Sequence, residues 1–240
     1  MIEAKTKEYR LVKTNLNSQV YRILKEMIAD QRFNPGHYIN VEKLTHELGV
    51  SRTPIWEAIR RLEQEGIVVH TPHKGVKVRQ LTREMALELY EVREALECLA
   101  ARHGARQATP ESLVKMEACL AEQSHIVKKG DAVAYSRSDH EFHSLIYALS
   151  GNGLLQELLE GLRYRALPLA FRLGPYFEEF LGYHQEILRA FQQSDGPAAE
   201  KAMRRHNRRM VEIIKKTSWG DQKELGLEAN HLKTKASENG

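Results

Sequence analysis

The feature that most constrains this chain is the punctuation between residues 35 and 78. Residues 16–31 place Val20, Ile23, Leu24, Met27 and Ile28 at helical spacing, and Pro35 and Gly36 stop that helix. A short helix over 41–48 ends at Gly49, a natural C-terminal cap. Ser51 then stands where it can cap a third helix, and Pro54 is tolerated in the first turn. Ile55, Ala58, Ile59 and Leu62 form the apolar stripe of that helix, and Gly66 closes it. Two β-prone runs, 67–70 and 76–78, flank TPHKG, which reads as a hairpin turn with a glycine in it.

Three helices followed by a two-stranded hairpin make the layout of a winged helix-turn-helix. Charge agrees with that layout. Residues 1–80 hold 14 Lys/Arg against 9 Asp/Glu, whereas the remaining 160 hold 22 against 23. All of the positive excess therefore lies in the first third, as expected of a polyanion-binding module joined to a neutral partner.

From residue 82 the pattern is helical throughout. Helices are expected over 82–107, 110–129, 131–150, 153–172, 176–194 and 197–217, separated by Gly, Pro and Asn breaks. Six such helices suggest a bundle. The expected division is a DNA-binding domain over 1–80, a helical domain over 81–218 and a polar, disordered tail over 219–240. The fold class is mainly α. No apolar run approaches the roughly 18 residues of a membrane span, and the charged N-terminus has no apolar stretch like that of a signal peptide. Cys98 and Cys119 have neither metal nor redox spacing and read as buried thiols in a reducing compartment, the cytoplasm.

The segment PGHYINVEKLTHELGVSRTPIWEAIRRLEQEGIVVHTPHKGVKV resembles the DNA-binding domain of the GntR family. The matching positions include Pro35, Gly36, Leu44, Leu48, Gly49, Ser51, Arg52, Thr53, Pro54, Glu57, Arg61, Leu62, Gly66 and Gly75. The resemblance implies that the third helix enters the major groove by its N-terminal end, so Ser51, Arg52 and Thr53 meet the bases. Arg52 can offer a fork to guanine O6 and N7, worth about 1–3 kcal/mol of discrimination. Arg60 and Arg61 are placed for phosphates, and His73, Lys74 and Gly75 for the wing tip. The family usually carries an arginine where this chain has Trp56, which leaves the operator sequence open. Trp56 can stack on a sugar or fill space between helices.

The second part resembles the FCD effector domain of the FadR-type branch, and with six helices is nearest the VanR-like subgroup. The residues that carry this are Asp139 and His143 in SDHEFHSLIYALSGN, His184 in GYHQEILRAF and His206 in AMRRHNRRM. The family's metal site takes one Asp and three His from these motifs. Asp139 and His143 are four apart and project from one helix face. One carboxylate and three imidazoles suit a divalent transition metal, zinc first, with nickel, cobalt, iron or manganese as alternatives, and leave positions open for a ligand. His140 and His125 lie off that face and read as surface residues.

The resemblance also places Arg93, in LYEVREALE, near the metal as partner of an acidic effector, its other reading being a surface ion pair with Glu97. Asn152 is a pocket residue or a helix cap, and Tyr90 and Arg165 are weaker pocket candidates. The implied function is a regulator that grips an inverted repeat of double-stranded DNA as a homodimer and represses until a small carboxylate binds. A metal-dependent enzyme and a DNA-binding protein with a purely structural metal are the competing readings.

Overall fold

The computed structural model describes residues 15–30, 32–170, 174–217 and 219. Except for Trp219, the expected tail lies outside the described residues, as do positions 1–14. The first part runs α1 (Asn15–Ala29), β1 (Tyr38–Ile39), α2 (Val41–Leu48), α3 (Arg52–Gln64), β2 (Val68–Thr71) and β3 (Gly75–Val78). Val20, Leu24 and Ile28 recur every four residues on α1 and are all buried, against Ile55, Ile59 and Leu62 of α3 and Val68, Val76 and Val78 of the sheet. α2 starts at Asn40, whose side chain accepts from Lys43 N at 2.9 Å, and stops at Gly49, left-handed at φ 64°.

Two expectations need correction. Ser51 occupies the N-cap position of α3, but its side chain makes no capping bond. The third residue of the helix, one of the two positions that can donate to such a cap, is Pro54, which has no N–H. The sheet also has three strands, in the order β1-β3-β2 and antiparallel throughout, rather than the two of a simple hairpin. β1 pairs Tyr38 with Lys77 and Ile39 with Val76, closing the free edge of β3.

The second part comprises α4 (Arg83–Gln107), α5 (Pro110–Lys129), α6 (Ala132–Leu149), α7 (Gly153–Ala170), α8 (Phe177–Gln192) and α9 (Gly196–Lys216), with a single 3-10 turn, Gly174–Tyr176, before α8. Six helices are thus present among the described residues, each within two residues of its expected bounds. Side chains cap three of their starts: Thr82 accepts from Met85 N, Asp131 from Val133 N and Ala134 N, and Asp195 from Ala198 N. No described helix is long and apolar enough to cross a membrane.

The bundle is held by two clusters of buried apolar side chains, and α4 packs chiefly along α9. Gly104 sets how closely α4 approaches its neighbours. A Cβ there would sit 3.2 Å from the Ile146 carbonyl of α6 and 3.2 Å from the Phe191 ring of α8. This crossing brings the α4 side chains two and three turns earlier, Glu97 and Arg93, into register with those of α6. Both cysteines are buried, and burial pushes Cys98 up to about 12 and Cys119 to about 11, so both stay thiols at neutral pH.

Candidate functional site

One candidate surface is built by α3 and the wing. Ser51, Arg52 and Thr53 are exposed at the start of α3, while Pro54 and Ile55 turn into the core. Arg52 pairs with Glu42 of α2 at 3.1 Å, with both side chains about 70% exposed. An exposed pair of this kind contributes little and is readily given up to a better acceptor. Arg60 is exposed, and the guanidinium of Arg61 lies 3.8 Å over the Tyr21 ring of α1. That contact holds Arg61 beside α1. At the wing tip His73 is left-handed (φ 63°), Lys74 is exposed and Gly75 has φ 96°. The glycine is required by that backbone, and Tyr38 of β1 would lie 3.6 Å from any Cβ. Trp56 fills space between elements: it packs on the first core and meets the His70 ring of β2 edge-on at 5.2 Å.

The second candidate lies in the middle of the bundle. Ligand atoms of Asp139 and His143 (α6), His184 (α8) and His206 (α9) are all within 4.8 Å of one another. The His184 and His206 Nε2 atoms are 3.1 Å apart, and Asp139 Oδ1 is 3.5 Å from His184 Nε2 and 3.8 Å from His143 Nε2. Donors bound to one ion at about 2.1 Å stand roughly 3–3.4 Å from each other, so the set needs only small closure to share an ion.

The donor chemistry fits a metal. His143 is fully buried with neither ring nitrogen hydrogen-bonded, and His206 Nδ1 also has no partner. Such orphaned polar atoms are costly in an apolar interior unless something else engages them. Burial drives the imidazoles away from the charged form: His184 is pushed down to about 3, His206 to about 4, and His143 well below its usual range. Neutral imidazole is the form that binds a metal. Asp139 behaves oppositely. Burial alone would raise it, but the charge of Arg163 outweighs that and keeps it ionised, with the imidazoles adding to this only once they are protonated in acid. The four residues can therefore hold a divalent transition metal.

A surrounding layer fixes these groups. Gln123 Oε1 of α5 stands 2.7 Å from His184 Nδ1, so a proton on Nδ1 turns the Nε2 lone pair to the cluster. Arg163 of α7 donates from Nη2 to Asp139 Oδ2 at 3.0 Å and from Nε to His140 Nδ1 at 2.8 Å. Arg93 and Glu97 of α4 form a buried ion pair at 2.8 Å, and Glu97 also accepts from Tyr147 at 2.5 Å and Asn207 at 2.7 Å. Every helix of the bundle contributes at least one of these side chains.

Beside the cluster is a cavity of about 50 Å³ lined in part by Tyr90, Arg93, Asp139, Arg163, Phe180 and His206. Arg93 and Tyr90 thus reach the site. The Arg93–Glu97 pair is real, but buried rather than on the surface. His140 is half-buried against Arg163, whereas His125 is exposed. Asn152 does not reach the cavity: it is exposed and caps α7, accepting from Leu155 N at 3.1 Å. Arg165 is not at the cluster either, since it donates to the Glu65 carbonyl at the end of α3. Arg163 and Gln123 escaped the sequence reading, and Glu97 entered it only as an ion-pair partner of Arg93. The i,i+4 spacing from Arg93 made Glu97 visible, whereas Arg163 and Gln123 carried no local signal.

Comparison with known proteins agrees with both halves. Residues 16–78 match the model of the bacterial regulatory proteins of the gntR family, and residues 88–209 match the FCD domain. The chain belongs to the GntR family. A Bacillus subtilis relative described as an uncharacterised HTH-type transcriptional regulator, YdhC, is 30% identical over 214 residues, covering 89% of this chain and 87% of its own. The HTH-type transcriptional repressor RspR of Escherichia coli is 27% identical over 203 residues, covering 83% and 89%. The solved structure of E. coli McbR/YncC superposes with a TM-score of 0.77 at 23% identity, over 84% of this chain and 98% of that one, which shows the shared fold. This GntR protein is a DNA-binding transcription regulator and not an enzyme.

The buried imidazoles give the regulator a definite acid response. In the unfolded chain they titrate near 6.5, whereas the folded His184 and His206 resist protonation down to about 3 and 4. Between pH 6.5 and 4 the unfolded state therefore binds more protons, and stability falls as pH drops through that window. Asp139, with its folded value depressed, adds a loss in the same direction at lower pH. The thermal midpoint of metal-stripped protein is expected to fall steadily from pH 7 to 5, and the slope to flatten in His143→Ala/His184→Ala. A pH-independent midpoint contradicts the neutral buried cluster.

Proposed function

We propose that this regulator is a repressor that binds an inverted-repeat operator as a homodimer and is released when a small carboxylate occupies its metal centre. The observation that carries the reading is the juxtaposition of three neutral imidazoles and an ionised Asp139 with a small cavity walled by two guanidiniums, Arg93 and Arg163. A metal bound there would hold open positions for an acid, and an arginine would supply a charge-assisted partner. Zinc suits the donor set best, with nickel, cobalt, iron and manganese also compatible. Six helices and this ligand set suit the VanR-like subgroup.

The reading divides the chain into a DNA-gripping part up to about residue 80 and a sensing part beyond it, at work in the cytoplasm. Repression is supported by the E. coli relative, described as a repressor. The homodimer is supported by a bare apolar stripe. Val92 and Leu99 on α4 and Leu154 and Leu158 on α7 are 41–67% exposed on two helices packed together. Large apolar side chains grouped in this way mark an interface, and two half-sites require two copies. A purely structural metal is a second reading, favoured by the complete burial of His143 and His184.

Ser51, Arg52 and Thr53 are assigned to base edges, Arg60 and Arg61 to phosphates, and His73, Lys74 and Gly75 to the wing contact. With an operator selected from random duplexes, Arg52→Ala is expected to lose about 1–3 kcal/mol of base discrimination at one position of each half-site. Lys74→Ala should weaken all sequences alike and reduce the salt slope by about one. An Arg52→Ala protein with unchanged sequence preference contradicts the assignment.

The sensing half is tested by titrating the operator complex of zinc-loaded protein with short mono- and dicarboxylates. At least one is expected to lower operator affinity about 5- to 150-fold, with no effect on metal-stripped protein. If acids bind the zinc-loaded protein and leave operator affinity unchanged, the metal is structural.

A further inference from the structure

Two helices at the metal cluster, α7 and α6, also touch the DNA-binding part, α7 the more extensively. Arg163 of α7 has its guanidinium tied at two edges to α6, to Asp139 Oδ2 at 3.0 Å and His140 Nδ1 at 2.8 Å. The residues that follow it face the winged helix. The Lys25 ammonium of α1 lies 3.9 Å over the Tyr164 ring, and Lys25 is itself held by Glu65 and Tyr21, each at 2.8 Å. Arg165 Nε donates to the Glu65 carbonyl at 2.6 Å, at the C-terminal end of α3. Tyr164 and Leu167 also pack against the apolar core of the winged helix. α6 adds a second anchor, since Arg137, two residues before Asp139, pairs with Asp30 after the end of α1 at 2.5 Å.

Between these anchors runs a groove of about 380 Å³, bordered by Asp30, Arg137, His140, Arg163, Tyr164 and Leu167. Arg163 and Leu167 wall both this groove and the small cavity at the cluster. The two spaces are thus separated by the same side chain that holds the metal-ligating carboxylate.

We propose that Arg163 is the residue that reads an acid at the metal centre, and that α7 carries this reading to the winged helix of the same chain. The inference rests on the proposed sensing role of the cluster and adds its recognition residue and its route. A carboxylate in the cavity offers the guanidinium an alternative acceptor to Asp139 Oδ2, in the fork geometry that arginine favours. Drawing Arg163 off Asp139 shifts a helix whose next residues clamp α1 and α3. The joint it acts on is polar and modest, the kind across which domain movement is the default expectation. Arg163 and the docking contacts are therefore energetically linked, and linkage is reciprocal: altering the dock must alter the hold of Arg163 on Asp139 and with it the metal ligands.

The test uses full-length protein, zinc as the probe, and variants on both sides of α7. Tyr164→Ala and Asp30→Ala alter the dock and touch none of the four ligands. Both are expected to raise amide exchange in α1 and around Gly66, and to weaken zinc binding at least about five-fold by chelator competition. Arg163→Met is expected to raise exchange in the same α1 and α3 segments even in metal-stripped protein. Faster exchange with wild-type zinc affinity in both docking variants overturns the proposal, as does unchanged α1 exchange in Arg163→Met. Should the protein hold no zinc at all, the sensing role fails and the Arg163→Met exchange still decides the route. Should the variants couple while no carboxylate moves operator affinity, the route stands and the sensing role fails.

Discussion

At the centre of the bundle two carboxylates and two guanidiniums, Glu97, Asp139, Arg93 and Arg163, surround three imidazoles that burial keeps neutral. Placing charges in an interior is expensive, and opposite charges recover the cost only with good geometry and further hydrogen bonds. Glu97 meets that condition with Arg93, Tyr147 and Asn207, and Asp139 with Arg163. Removing one member would strand another, at about 3–5 kcal/mol. The six helices are therefore held together by their apolar clusters and brought into register by this polar centre, to which each of them contributes.

That centre explains features far from it. The close crossing at Gly104 brings α4 near enough to α6 for the Arg93–Glu97 pair to stand behind His143, whose Nδ1 is 3.8 Å from Glu97. α7 is held inward by Arg163 and outward by Tyr164 and Arg165, so it belongs to the bundle and to the winged helix alike. The winged helix follows a different logic. Its core is conventional, and Arg52, proposed to read a base, is exposed and paired only with an exposed Glu42, a contact given up at little cost.

The sequence revealed most where structure is local. The stops at Gly36, Gly49 and Gly66 and the Gly, Pro and Asn breaks between the later helices located the elements because chain termination is decided within a few residues. The i,i+4 spacing of Asp139 and His143 was legible for the same reason, whereas His184 and His206 came from family resemblance alone. β1 was missed because two residues show no alternation, and Ser51 makes no capping bond beside Pro54, which lacks one of the two N–H groups such a cap can use. Arg163, Gln123 and the true place of Arg165 depend on contacts between distant segments, which no local pattern encodes. The Asn152 cap was local and visible, yet the same motif also allowed a pocket role that only the placed backbone could refuse.

The central claim is that the metal centre and the DNA face share one free energy. The direct measurement is the affinity of full-length regulator for zinc, by chelator competition, with and without saturating operator duplex. Linkage predicts that operator changes zinc affinity by the same factor by which zinc changes operator affinity, about 5-fold or more. Zinc affinity that is identical with and without operator, in protein that binds both, would contradict the account.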